Sequence, residues 1–151
     1  MNFRVRQRIL VYRSFHLVVL LLACVVLASC GSSGKSVQLA QDNVSLFHAQ
    51  LDTEQYGTIY ASADEKFRNA TTETDFVKLL GAIHNKLGTV RESNLRNTGV
   101  AWFSGQGATV TIVYETKFSG GTGTEKFVWH IKDNQATLYS YNINSNDLIA
   151  K

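Results

Sequence analysis

The hydrophobic pattern changes its period at Gly88, and this change constrains the fold more than any other feature of the chain. Before Gly88, apolar residues recur at steps of three and four, which is typical of helices. After Gly88, apolar and polar residues alternate, which is typical of strands with one buried face. Helices followed by strands predict an α+β fold, in which N-terminal helices pack on one face of an antiparallel sheet.

Three helices are predicted before Gly88. The first covers residues 37–51, and the second is a short helix in "TIYASADEKFRNA", residues 58–70. The third covers residues 72–87. Thr72 and Asp75 form a capping-box-like start, and Gly88 is a typical helix-ending glycine.

Four strands are predicted after Gly88, over residues 90–103, 108–118, 124–132 and 136–144. The turns between them are short, so neighbouring strands pair as an antiparallel meander. The alternation also predicts which side chains face the helices. The inward residues of the last three strands are Val110, Ile112, Tyr114, Thr116 and Phe118, then Phe127, Trp129 and Ile131, then Tyr139, Tyr141 and Ile143.

The N-terminus has the pattern of an export signal, with four arginines and no acid before a short apolar run at residues 17–28. This run is shorter than the roughly 20 residues of a membrane-spanning helix. The following "LASC" resembles the lipobox of bacterial lipoproteins, which implies lipidation of Cys30 and cleavage just before it. The predicted organisation is a signal peptide (1–29), a lipidated cysteine with a flexible tether (30–36) and one domain (37–151). The alternative is an ordinary signal peptide with an incidental cysteine.

Removing this signal changes the charge balance. The whole chain carries +3, with 15 basic and 12 acidic residues. Four of the bases lie in the signal, which leaves 11 bases against 12 acids, so the mature chain gives no argument for binding nucleic acid. Cys24 also leaves with the signal, and lipidated Cys30 offers no thiol for a disulfide or a metal. Because Gly31 follows Cys30, the resemblance to lipoproteins implies an outer-membrane location facing the periplasm.

The domain itself resembles a known family. The motifs "KLG", "VYETKF", "EKFVW" and "YSYNI", within residues 40–146, are similar to those of domain of unknown function 4019, in the nuclear transport factor 2-like (cystatin-like cone) superfamily. The resemblance implies a cone-like curved four-stranded sheet with a pocket between sheet and helices. These motifs are packing and turn residues, so they imply no reaction.

Few residues suggest chemistry. Glu125 has inward parity but lies near a strand end, which favours a solvated rim position. His130 shares a face with two lysines and is predicted at the surface, whereas His48 and His84 each flank a helical apolar stripe. No residue set predicts a catalytic group, a metal site or a cofactor. The candidate pocket consists of Tyr60, Phe76, His84, Tyr114, Trp129, Tyr139 and Tyr141, and a plain hydrophobic core is the competing interpretation.

Three functions are therefore considered. The leading hypothesis is a lipid-anchored envelope domain that binds a protein partner or a second copy without catalysis. The second is a carrier or sensor of a small apolar ligand in the aromatic pocket. The third is an isomerase or dehydratase, which needs His48 or His84 in a cavity beside a carboxylate or tyrosine.

Overall fold

The computed structural model describes residues 31–149 and places four helices before four strands in this part of the chain. The signal peptide and Cys30 lie outside the described residues. The helices are α1 (Gly31–Asp52), α2 (Tyr56–Ala61), α3 (Glu65–Ala70) and α4 (Glu73–Leu87), and the strands are β1 (Val90–Phe103), β2 (Gly107–Phe118), β3 (Thr122–Lys132) and β4 (Gln135–Asn144). This order confirms the predicted α+β class.

Helix α1 is longer than the sequence pattern indicates. It begins at Gly31 and includes residues 31–36, for which the sequence predicts a flexible tether. Glycine and serine are poor helix formers, but extending an existing helix is far cheaper than starting one. The apolar stripe of α1 is confirmed, because its members Ala40, Val44, Phe47 and Leu51 are buried.

The predicted second helix is two helices, α2 and α3. The break falls before Asp64, whose carboxylate accepts a hydrogen bond from the backbone N–H of Lys66 and caps the start of α3. An aspartate at this position starts a new helix more readily than it continues an old one. A cap residue inside "TIYASADEKFRNA" therefore divides the segment.

Helix α4 matches the prediction closely. Thr72 is its N-cap, with the hydroxyl accepting from the Asp75 backbone N–H at 3.2 Å. Gly88 ends the helix at φ +76°, a conformation that favours glycine. The four apolar residues of its inner face, Phe76, Leu80, Ile83 and Leu87, are all buried.

The strands form one antiparallel sheet in the order β1-β2-β3-β4, which confirms the predicted meander. All five inward residues of β2 and all three of β3 are buried, as their parity predicts. The bulges in the β1–β2 ladder lie between Val90 and Glu92 and between Leu95 and Asn97. Bulges of this kind bend a strand and increase its twist.

The prediction that Tyr139 faces the core is wrong. The register of β4 shifts opposite β3, so that Val128 pairs with Ser140 while Trp129 pairs with Leu138. This bulge turns Leu138 inward and leaves Tyr139 40% exposed, while Tyr141 resumes the inward direction.

The residues from Ser36 onward form one compact unit, and its core lies between the helices and the inner face of the sheet. Phe47 of α1 packs edge-on against Phe127 of β3, with ring centroids 5.1 Å apart, and lies 4.8 Å from the ring of Tyr141. Over residues 31–149, no helix is both long and apolar enough to cross a bilayer.

Candidate functional site

A buried carboxylate lies in the middle of this core. Glu125, near the start of β3, has no exposed surface, so the prediction that it is a solvated rim residue is wrong. Its inward parity holds even though β3 begins only at Thr122, because α1 covers this end of the sheet and brings His48 to the carboxylate. Carboxylates are seldom fully buried without partners, so its contacts need a complete account.

Three side chains donate to Glu125. The Tyr141 hydroxyl donates to Oε1 at 2.7 Å, and the Thr116 hydroxyl donates to Oε2. His48 Nε2 lies 2.8 Å from the same Oε2. Helix α1 and strands β2, β3 and β4 therefore each contribute one side chain to a single hydrogen-bonded group.

Ser93 of β1 extends the group to the remaining strand. Its hydroxyl lies 3.3 Å from Thr116 Oγ1 and makes a long contact of 3.5 Å with His48 Nδ1. The side chains of His48, Ser93, Thr116 and Glu125 thus form a closed ring of polar contacts. We refer to Ser93, Thr116, Glu125, His48 and Tyr141 as the Glu125 network.

The surroundings of Tyr141 keep its phenol protonated. Burial raises the pKa of Tyr141 well above its ordinary value, and the negative charge and hydrogen bond of Glu125 raise that pKa further. Tyr141 therefore acts as a hydrogen-bond donor throughout the physiological pH range. A buried carboxylate needs hydrogen-bond donors of this kind.

As arranged, the network joins α1 to all four strands. A buried, fully satisfied polar group specifies one arrangement of the elements that carry it, since any other arrangement leaves a charge without partners. His48 does lie beside a carboxylate, as the dehydratase hypothesis requires. However, Glu125 and Thr116 are fully buried, and His48 is 7% exposed. Half-buried Ser93 is the most exposed residue of the Glu125 network.

A second cluster surrounds His130 at the edge of a groove of about 230 Å³. His130 Nδ1 lies 2.8 Å from Asp64 Oδ2, and its Nε2 lies 2.7 Å from the backbone oxygen of Gln106. The Thr137 hydroxyl donates to the same carboxylate oxygen at 3.2 Å. We refer to His130, Asp64, Gln106 and Thr137 as the His130 cluster. The sequence predicts His130 at the surface, whereas the structure shows its ring half-buried and paired with Asp64.

The pKa values of this pair move apart. The Gln106 carbonyl and the Asp64 carboxylate raise the pKa of His130, against the opposing effects of burial and of Lys132. For Asp64, burial alone raises the pKa, but hydrogen bonds from His130, the Lys66 backbone and Thr137 outweigh it and lower the pKa. Opposite shifts of this kind favour an imidazolium–carboxylate pair over a wide pH range.

The predicted aromatic pocket is divided in the structure. Tyr114, Trp129 and Tyr141 surround Phe127, with ring centroids 5.1 to 6.4 Å from it. Phe76 and Tyr60 lie in another group with Phe67, and the Tyr60 hydroxyl donates to backbone oxygens of Arg68 and Thr71. His84 lies elsewhere, with Nε2 3.7 Å from Glu54, and Tyr139 is on the surface below the Lys66 ammonium.

One atom of the Phe127 group is not satisfied. The indole N–H of Trp129 is buried and has no hydrogen-bond partner among the residues described. A buried donor without an acceptor is rare and costs roughly 1 to 3 kcal/mol.

Comparison with known proteins places the domain in a family. A family model described as protein of unknown function (DUF4019) matches residues 44–141, which is more than half of the chain. The chain belongs to the DUF4019 family. The matched region contains all five members of the Glu125 network and the whole His130 cluster. Cys30 lies before it. No curated protein matches the chain.

Sequence reasoning missed Glu125, Thr116 and Asp64 of the DUF4019 domain as members of polar clusters. Parity was a usable signal for Glu125 and Thr116, because both share the inward face with aromatic residues. Aspartate is a common N-cap residue, and Asp64 lies within the segment 58–70 that the sequence predicts as one helix. Nothing in the local pattern indicated that Asp64 meets His130, which lies 66 residues later.

Proposed function

We propose that this protein is a lipid-anchored cell-envelope protein whose DUF4019 domain is a non-catalytic binding or assembly module. The anchor is a lipidated Cys30, and the expected location is the outer membrane facing the periplasm. The support for the anchor is the lipobox-like "LASC" after an export signal. The nuclear transport factor 2-like assignment rests on the order of elements, three or more helices followed by a four-stranded meander.

Strand β1 carries the binding proposal. Among the described residues it pairs with β2 alone, so its other edge lies at the margin of the sheet, and in this segment the Thr98 backbone N–H donates to Asn97 Oδ1. Residues 97–114, which form the outer half of the β1–β2 hairpin, contain no charged side chain. Trp102 and Phe103 are each 53% exposed there, and Leu95 is 44% exposed.

Exposed edge strands in monomeric proteins are normally protected by charge, proline, a β-bulge or a covering element, and the bulges of β1 lie before Thr98. The outer part of β1, residues 97–103, contains neither a charged residue nor a proline. The opposite edge, β4, is covered where its Leu138 carbonyl accepts from the Asp64 backbone N–H. A partner strand or a second copy that pairs with β1 satisfies the edge and covers the aromatic residues. This unprotected edge is the observation that supports a binding module best.

Photo-crosslinking in intact cells tests the proposal. A photoreactive amino acid at Trp102 is expected to give one crosslinked species of defined mass, and the same group at exposed Leu79 of α4 is not. Gly99→Lys in β1 is expected to abolish that species, because a lysine on an edge strand prevents pairing. Its matched control is Thr111→Lys, since Thr111 is the direct partner of Gly99 on β2 and lies away from the edge. Equal yields from Trp102 and Leu79, or an unchanged yield in Gly99→Lys, would contradict the binding strand.

A separate experiment tests the anchor. Cys30→Ser is expected to abolish incorporation of labelled fatty acid and to move the protein from the membrane to the soluble fraction. If the serine variant still sediments with membranes and is cleaved at the same bond, the lipoprotein assignment is wrong.

The orphan indole of Trp129 favours one second function, the binding of a small apolar ligand with a hydrogen-bond acceptor. The chain has two tryptophans, so a Trp102→Phe variant leaves Trp129 as its single reporter. Titration with decanoic acid is expected to change the Trp129 emission with saturation if the aromatic group accepts an amphipathic ligand. Unchanged emission up to the solubility limit of the acid would exclude this class of ligand.

A further inference from the structure

His130 makes two contacts that a neutral histidine cannot make together. Asp64 Oδ2 lies 2.8 Å from Nδ1, and the Gln106 backbone oxygen lies 2.7 Å from Nε2. A carboxylate and a carbonyl both accept hydrogen bonds, while a neutral imidazole has only one N–H. The two contacts therefore require the imidazolium form.

These contacts connect parts of the domain that are far apart in sequence. Asp64 is fixed at the start of α3, because it caps that helix and its own N–H donates to the Leu138 carbonyl of β4. Gln106 belongs to the β1–β2 turn, where its N–H donates to the Phe103 carbonyl. His130 therefore ties the turn that follows the exposed aromatic residues to the fixed start of α3.

The loss of one proton affects the two contacts differently. The charged carboxylate is the stronger acceptor, so a neutral His130 keeps its remaining proton on Nδ1 and its bond to Asp64. The unprotonated Nε2 then directs a lone pair at the Gln106 carbonyl oxygen, and this contact becomes repulsive. The β1–β2 ladder ends at Phe103 opposite Gly107, so the tip of the turn is joined to α3 through His130, and Gly105 and Gly107 adopt positive φ angles of +72° and +89° there.

We propose that His130 is a pH-sensitive clasp, which as an imidazolium holds the β1–β2 turn to Asp64 and on losing its proton releases the turn together with the end of β1. The clasp itself is independent of the proposed function. Its consequence for partner binding rests on that function, because the released segment carries Trp102 and Phe103.

The groups that face His130 determine the direction of the switch. Asp64 approaches from the start of α3, Thr137 from β4, and the uncharged turn contributes the Gln106 carbonyl. Lys132, the last residue of β3, and Asp133, which follows it, also line the groove. The pKa of His130 lies above its ordinary 6.5, so the clasp is complete below that value and is lost as the pH rises through the raised pKa.

Fluorine NMR of the full chain labelled with 5-fluorotryptophan tests the clasp, because Trp102 lies near the turn and buried Trp129 is an internal control. Between pH 5 and 9, the Trp102 resonance is expected to shift with a midpoint above 6.5 while the Trp129 resonance stays. In His130→Gln, Trp102 is expected to show the high-pH position throughout, and in Asp64→Asn the midpoint is expected to move to lower pH.

His84→Gln is the matched control, since His84 is a half-buried histidine in a different cluster, and it is expected to leave the transition unchanged. An unaltered Trp129 resonance in each variant establishes that the core is folded. A Trp102 transition that survives in His130→Gln, or no transition in the unmodified chain, would overturn the clasp. A clasp that titrates normally while the Trp102 crosslink is absent would instead remove the binding module and leave the clasp standing.

Discussion

Replacing Glu125 with alanine removes the single acceptor shared by three buried donors, the side chains of His48, Thr116 and Tyr141. Each donor left unsatisfied costs about 1 to 3 kcal/mol. All three donors lose this acceptor together. We therefore expect Glu125→Ala to lower the free energy of unfolding by about 4 kcal/mol.

Glu125→Gln separates hydrogen bonding from charge. The glutamine oxygen can take the place of Oε2 and accept from Thr116 and His48, while its amide N–H donates to the Tyr141 hydroxyl, which then acts as an acceptor. All three contacts remain, but the charge is lost and the Tyr141 O–H no longer has this acceptor. Since charge-assisted hydrogen bonds are roughly twice as strong as neutral ones, we expect a loss of about 1 to 2 kcal/mol.

The assay is pulse proteolysis of each variant across a urea series, which gives the free energy of unfolding from the fraction of cleaved protein. Glu115→Ala is the matched control, because Glu115 lies on the neighbouring strand and forms an exposed pair with Arg96. Its expected cost is below about 1 kcal/mol. Equal losses for alanine and glutamine at position 125, or a loss below about 2 kcal/mol for alanine, would refute the role given to the network.

Three further predictions concern stability and use the same urea assay. Thr72→Ala removes the N-cap of α4 and is expected to cost about 1 kcal/mol, with no loss refuting the cap. Gly107→Ala is expected to destabilise the domain more than Gly105→Ala. Both positions need a positive φ, but a Cβ at 107 would lie 2.3 Å from the Ile131 carbonyl oxygen, whereas the space at 105 is open. The reverse order would refute this reasoning. Phe47→Ala is expected to cost about 3 to 5 kcal/mol, and a cost below 2 kcal/mol would mean that Phe47 is not central to the core.

Much of the fold follows from the sequence because its signals are local. The caps Thr72 and Gly88 define α4, and strict alternation defines the inner faces of β2 and β3. Tyr139 was misplaced for the opposite reason. A bulge depends on the register of two paired strands, and one strand's alternation does not reveal it.

The polar clusters were less predictable than the fold. The sequence predicts Glu125 at a solvated rim because it is the second residue of the predicted strand 124–132, next to the turn. Its burial depends on what packs above it, and α1 comes from the other end of the domain. His130 was likewise assigned from its own strand, although its partners are a helix cap and a turn. Local patterns report a residue's direction, while distant packing determines its surroundings.

The link between His48 and Glu125 spans 77 residues, and this separation has a consequence for the time course of synthesis. The meander pairs each strand with its neighbour in sequence, so most of the sheet forms from contacts of low order. Within the domain, helix α1 is made first, and the strands that cover it are made after all the helices. At about 5 to 20 residues per second, its apolar stripe waits roughly 4 to 15 s for β3. Until β3 is made, the apolar stripe of α1 therefore has no sheet to pack against.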